Sequence, residues 1–381
     1  MPLEPEILET LRCPVGRGAL RPMTRREVGR LNSELADRVA RCAPGGRGCE
    51  PLEDGLAAAD GTTFYRIARG VPHLIPAMRI VRTGLAASEP GTPASAVSDP
   101  WADRWAELSL RWDEMGPPVR PAHEDTEILE RLASEALEAA GGVARRALML
   151  GVTPEIAVMR WPAGARLLAL DSSEAMIRNV WPARAVPHGV AALADWLAMP
   201  LHDGSYDLVV GDGSLSVPPF PEGCGALVRE VRRVLRDGGV LALRMFTRPE
   251  AREPVEAVFA ALRAGRIGTL DAVKWRLVMA LHGDTAAGVR MGDVWDAWEA
   301  NVPDAPALMR SLGWPENAHR ILQGLSGLEA RITFPTLPEV RALLADEFEE
   351  ARCEFPGYED GQRYPTMLLR PRSRPRPSAR P

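Results

Sequence analysis

Short apolar runs ending in turn residues alternate with helical patterns through the middle of this chain. Ala147–Gly151 (ALMLG), Arg166–Leu170 (RLLAL), Asp207–Gly211 (DLVVG) and Val240–Phe246 (VLALRMF) are β-rich runs of this kind. Across 224–236, Leu227, Val228, Val231, Val234 and Leu235 fall at the spacing of one buried helical stripe. Gly238 and Gly239 follow, and predict a left-handed stop to that helix. Strands apolar on both faces, alternating with helices, predict a parallel, doubly wound α/β sheet. Ligands of such sheets gather at the carboxyl ends of the strands, so candidate chemistry is sought there.

Three stretches interrupt this pattern. Residues 83–100 (TGLAASEPGTPASAVSDP) are small, polar and proline-bearing and predict a linker. Residues 371–381 (PRSRPRPSARP) cannot bury a core and predict a disordered tail. Residues 42–50 (CAPGGRGCE) form a glycine-rich loop. The expected organisation is a small α+β unit over 1–82, a linker over 83–100, a large unit over 101–370 and a tail over 371–381.

Composition narrows the classes. With 46% hydrophobic and 25% charged residues in 381, the chain is globular, and its 34 Gly and 35 Pro follow no collagen repeat. A formal charge of −5 gives no field that would draw nucleic acid or anionic lipid. The basic residues are all Arg except Lys274, and they are scattered. Cys13, Cys42, Cys49, Cys224 and Cys353 are an odd, sparse set that suits a reducing cytosol better than a disulfide scaffold. The start, MPLEPEILETL, has no signal-peptide core, and no apolar run approaches the ~18 residues of a membrane span. A cytoplasmic location is the expectation.

At the first strand end the sequence is Leu150-Gly151-Val152-Thr153-Pro154-Glu155. A bound diphosphate needs G-x-G-x-x-G, and only Gly151 is present, which argues against NAD. Thr153 also reads as a helix cap with Pro154 at the first position. The second run ends in Asp171, placed where a carboxylate can accept from two ribose hydroxyls. Before Ser172-Ser173-Glu174, Asp171 is equally a helix N-cap. Asp195-Trp196, after the expected third strand, suits an adenine amine with an indole beside it, or a loop Asp and a core Trp. Asp212, within Gly211-Asp212-Gly213-Ser214, reads as close ligand approach at the fourth strand or as an ordinary turn.

The order and spacing of LGVTPE, LALDSSEAMI, ADWLAMPLHDGSYDLVVGDGSL and VRRVLRDGGVLALR resemble the class I S-adenosylmethionine-dependent methyltransferases. The resemblance covers about 147–246, and reaches further if Glu350–Phe355 and Tyr364–Arg370 are the sixth and seventh strands. It implies a seven-stranded Rossmann-like sheet and S-adenosylmethionine as cofactor. It places Gly151, Val152 and Thr153 around the methionine part, Asp171 on the ribose, Ser172 and Met176 flanking the adenosine, and Asp195 and Trp196 at the adenine. Residues 112–125 occupy the place of an N-terminal lid in similar enzymes, where Arg120 would meet the cofactor's carboxylate; alternatively it is a surface arginine in a proline-rich turn. An insertion over about 250–335 carries Trp275, Trp295, Trp298, Trp314, His282 and His319. In relatives such helices cover a small acceptor, although tryptophans at helical spacing also read as core. Ile7–Pro14 and Gly61–Pro76 resemble a small zinc-ribbon-like domain whose relatives activate RNA and protein methyltransferases. Gly16 stands where metal-binding relatives have a second cysteine. Cys13, Cys42 and Cys49 offer three ligands where tetrahedral zinc wants four, so a metal-free domain is expected.

Methyl transfer is an in-line displacement that rests on alignment, and a general base is needed only for some acceptors. Asp212, His202 and His282 are the base candidates. Enzymes that methylate exocyclic amines resemble [N/D/S]-P-P-[Y/F] at the fourth strand end. Here Val217-Pro218-Pro219-Phe220 is displaced and lacks the polar lead, which argues against that chemistry. Three readings follow: a methyltransferase for a small-molecule acceptor, an RNA or protein methyltransferase docking through its N-terminal unit, or a catalytically silent cofactor-binding protein. A protein partner or self-association stays open, nucleic acid is disfavoured, and no membrane association is expected.

Overall fold

A computed structural model describes residues 3–43, 50–82, 101–139, 146–315 and 318–373. The expected linker at 83–100 lies outside them, as do most of the glycine-rich loop and most of the expected tail. The apolar runs are strands: β1 (Arg146–Leu150), β2 (Arg166–Asp171), β3 (Gly189–Leu193), β4 (Tyr206–Asp212), β5 (Leu235–Arg244), β6 (Phe348–Glu354) and β7 (Thr366–Pro371). They form one seven-stranded sheet in the order β6-β7-β5-β4-β1-β2-β3. β1 and β2 run parallel with Leu148 opposite Leu168, and β3 continues the register with Val190 opposite Leu168.

Two expectations are corrected here. The sheet is mixed, not wholly parallel: β7 runs antiparallel to β5, with Leu241 opposite Leu369, and antiparallel to β6. The connection over 355–365 is too short for the crossover that a parallel neighbour of β6 requires. The helix Glu222–Val234 is present, but it passes directly into β5, so Gly238 and Gly239 lie inside a strand and not at a helix stop. Gly238 still takes the left-handed conformation, at φ +80°.

The chain divides into two compact units, the first formed by Met1–Leu110, Gly141–Val210 and Arg233–Gly239. Its N-terminal part builds a second sheet from Leu20–Pro22, Asp54–Ala58, Thr63–Ala68, Val71–Pro72, Ile80–Arg82 and Ala40–Cys42. The helix Arg25–Ala36 opens with a capping box between Thr24 and Glu27. It packs Val28 and Leu31 against Met23, Leu52, Phe64 and Ile80. The buried Cys13 lies 3.3 Å from the Tyr65 hydroxyl. Cys42 is disulfide-bonded where a free thiol was expected, and a thiol so engaged is no zinc ligand. Cys49 lies outside the described residues.

The second unit comprises Arg111–Ala140, Gly211–Arg232 and Val240–Pro381. Between β5 and β6 it carries the helices Val255–Arg263, Leu270–Leu281, Met291–Asn301, Ala305–Leu312, Arg320–Gln323 and Leu337–Leu344. Trp298 is buried against Phe259, and Trp275 packs at 5.7 Å from Phe246 and 5.2 Å from Phe334. Both tryptophans therefore take the core role that helical spacing allows. No helix among the described residues is long and apolar enough to cross a membrane.

Candidate functional site

In the first unit, three strand ends meet on one carbonyl. β1 stops at Leu150 and the chain turns at Gly151, whose φ of +97° favours glycine. The Gly151 amide donates to the Leu170 carbonyl at 2.8 Å. The Trp196 indole N–H donates to the same oxygen at 2.7 Å. A Cβ added at Gly151 would stand 3.7 Å from the Trp196 ring, so the indole forms a wall beside the first loop. Val152 is buried. Thr153 occupies the N-cap position of the short helix Pro154–Ala157 without a side-chain cap bond, so only the Pro154 part of the capping expectation is realised.

One residue beyond that shared carbonyl, Asp171 ends β2. Its Oδ1 accepts from the Ser173 amide at 2.8 Å, and its main-chain carbonyl accepts from Ala194 at 3.0 Å. The N-cap of the helix Glu174–Asn179 is Ser173, which accepts from the Met176 amide, so Asp171 is not spent as a cap. Burial pushes its carboxyl up to about 7, with the Ser173 amide opposing. Ser172 is exposed and Met176 buried. Asp195 is exposed and caps the single turn Trp196–Ala198 through the Leu197 amide. The structure thus gathers Gly151, Val152, Thr153, Asp171, Ser172, Met176, Asp195 and Trp196 at adjoining ends of β1, β2 and β3.

The second unit holds a buried charge cluster that sequence reasoning missed. Arg244, at the end of β5, is 1% exposed. Its guanidinium meets Asp212 at 2.7 Å, Asp125 at 3.1 Å and the Pro118 carbonyl at 2.9 Å. The Tyr358 hydroxyl donates to Asp125 at 3.0 Å, and the rings of Phe246 and Tyr364 flank the cation at 5.2 and 5.6 Å. Burial disfavours the charged guanidinium, but the two carboxylates outweigh it and hold its pKa above the ordinary arginine value. The available signal was an arginine inside the apolar run VLALRMF. Next to Asp212, Gly213 has φ +61°, and a Cβ there would fall 2.4 Å from Phe246.

The remaining candidates each have contacts of their own. Arg120 donates to the carbonyls of Trp112 and Met115 and lies over the Trp112 ring. His202 is exposed against the Asp203 carbonyl. His282 is buried, its Nε2 accepts from the Phe334 amide at 3.1 Å, and burial together with nearby Arg248 lowers its pKa to about 4. Buried in this way, it cannot exchange protons readily with a ligand.

Residues 148–243 match the family described as a methyltransferase domain. A curated relative, the malonyl-[acyl-carrier protein] O-methyltransferase of Pseudescherichia vulneris, is 33% identical over 144 residues, 36% of this chain and 55% of the relative. The chain thus spans about half the length of that relative. Among solved structures, a Rhodobacter sphaeroides protein described as a Zn-dependent alcohol dehydrogenase has a TM-score of 0.46 at 13% identity, over 73% of this chain and all of that one. The N-methyltransferase NodS of Bradyrhizobium japonicum WM9, solved with S-adenosyl-L-homocysteine, has a TM-score of 0.40 at 12% identity, over 71% of this chain and 99% of that one. Likenesses this slight add nothing to the family match. Residues 148–243 thus carry a methyltransferase domain.

Proposed function

We propose that this protein methylates a small-molecule acceptor and holds S-adenosylmethionine at the ends of β1, β2 and β3. The observation that carries the proposal is Asp171: a partly buried carboxyl at a strand end, without a cationic partner among the described residues, beside a glycine turn and an indole wall. Its raised proton affinity reflects burial that the Ser173 amide offsets only in part, and ribose hydroxyls would add further donors. Asp195 would take the adenine amine, Trp196 and Met176 the faces of the base, and Gly151 to Thr153 the methionine part. When bound, S-adenosylmethionine supplies a methyl group on a positively charged sulfur, open to in-line attack. The chain's own contribution is alignment and exclusion of water. Asp212 and Arg120 have partners of their own in the second unit and are not part of this proposal.

Asp212 is held by Arg244 and His282 is buried, so neither supports a built-in general base. That favours an acceptor already nucleophilic at neutral pH, such as a carboxylate or thiolate. The curated relative's malonyl acceptor and the acidic balance of the chain support a small acceptor over RNA. We read residues 1–82 as a small appended domain and about 250–335 as a helical insertion. Calorimetry with S-adenosylhomocysteine tests the proposal. The wild type should bind in the micromolar range and Asp171→Ala should lose most affinity. No binding by the wild type at millimolar ligand would end the reading.

A further inference from the structure

We infer that the N-terminal residues Arg17, Arg12 and Leu74 position the loop carrying Asp195 and Trp196, with Arg17 as the positioning residue for cofactor affinity. This rests on the cofactor reading above and extends it to a part of the first unit that the reading does not use.

The N-terminal segment holds the chain on both sides of the loop. Upstream, the Leu74 amide donates to the Leu193 carbonyl at 2.8 Å, and His73 bridges Leu193 in parallel, along the outer edge of β3. Downstream, the Arg12 amide donates to the Pro200 carbonyl, and the His202 amide to the Thr10 carbonyl, each at 2.8 Å. The Thr10 hydroxyl lies 2.9 Å from that of the fully buried Tyr206. Between these anchors only Trp196–Ala198 forms a turn of its own. The indole is itself tied to the Leu170 carbonyl, and its placement also depends on how firmly the two flanks are held.

Arg17 tightens the downstream flank. It donates to the carbonyls of Met199 at 2.8 Å and Leu201 at 3.2 Å. Arg233 donates to the same two oxygens, at 2.8 and 2.7 Å. Two carbonyls, two residues apart, thus each receive a donor from two guanidinia, and these charge-assisted bonds fix the local backbone. Arg17 also sits at φ 57°, left-handed backbone that a non-glycine residue keeps only where its surroundings demand it. An arginine at that position between Gly16 and Gly18 has a use for its side chain.

The strained backbone supplies the test. Arg17→Gly relieves the left-handed conformation while removing the guanidinium, so the two effects on stability offset, and a residue without a positioning role would leave binding unchanged. Positioning predicts that Arg17→Gly melts within a degree or two of the wild type. It should bind S-adenosylhomocysteine about three- to tenfold more weakly, a range set by the solvent exposure of the arginine. Arg17→Lys, which keeps one donor, should fall between. Hydrogen exchange of the ligand-free protein gives a second readout: the amides of Leu197 and Ala198 should exchange several-fold faster in Arg17→Gly. Affinity and exchange both equal to the wild type would overturn the inference. Should the wild type bind no S-adenosylhomocysteine, the cofactor reading fails, and exchange at Leu197 and Ala198 alone decides whether Arg17 holds the loop.

Discussion

Asp171 couples binding to pH, and the sign can be worked out from its environment. Its carboxyl rises from the ordinary 3.8 to about 7 in the fold. Ionising it there costs up to about 4 kcal/mol relative to the unfolded chain, an upper bound because the side chain is partly accessible. The folded state holds this proton more tightly, so the group favours folding fully below about pH 4. That contribution is lost as pH rises through about 7. Asp171→Asn keeps an oxygen for the Ser173 amide and removes the ionisation. Urea denaturation of the ligand-free proteins should show the variant matching the wild type near pH 4 and exceeding it by 1–4 kcal/mol at pH 8. Binding should respond in the opposite sense, because ribose hydroxyls need the ionised carboxylate. Wild-type affinity for S-adenosylhomocysteine should fall about tenfold per pH unit below about 6.5, with proton release on binding visible as a buffer-dependent heat. A variant less stable than the wild type at pH 8, or an affinity flat from pH 5 to 8, would refute the reasoning.

Three further outcomes follow from the second unit and the buried histidine. Arg244→Met leaves Asp125 and Asp212 buried without their cation and should cost about 3–5 kcal/mol in denaturant unfolding; a loss below 1 kcal/mol would show that the cluster is not tightly held. Gly213→Ala meets both a left-handed backbone and the Phe246 ring, and should destabilise by about 2–4 kcal/mol on the same measurement. His282, with its pKa lowered to about 4, should show no imidazole titration by NMR between pH 5.5 and 8, and a midpoint near 6.5 would contradict its buried placement.

The strands β1, β2, β4 and β5 were legible because each is an uninterrupted apolar run, and burial on both faces leaves such a run little alternative. The end of the helix at 222–234 was less so: Gly238 is left-handed as glycine allows, yet hydrogen bonding across the sheet turned its surroundings into strand. Asp171 and Asp195-Trp196 could be singled out from spacing alone, since a strand end places whatever residue follows it. Arg244 could not, because one charge in an apolar run does not name its counter-ions, which come from positions 125, 212 and 358. The grip of Arg17 on Met199 and Leu201 was hidden for the same reason. Both ends of such a contact look ordinary until the chain brings them together.

The Arg244 cluster has a bearing on how this unit can change over evolutionary time. It ties the end of β4, the end of β5, the start of the helix His123–Ala139 and the segment around Tyr358 to one buried centre. The stretch between residues 250 and 335 leaves and returns within that frame. Away from the buried contact of Trp275 with Phe246, its helices can lengthen, shorten or exchange side chains without moving the strand ends they spring from. Diversification of this part of the chain is thereby separated from preservation of the sheet, and variation among descendants of this sequence should concentrate there while positions 125, 212, 244 and 358 drift together or not at all.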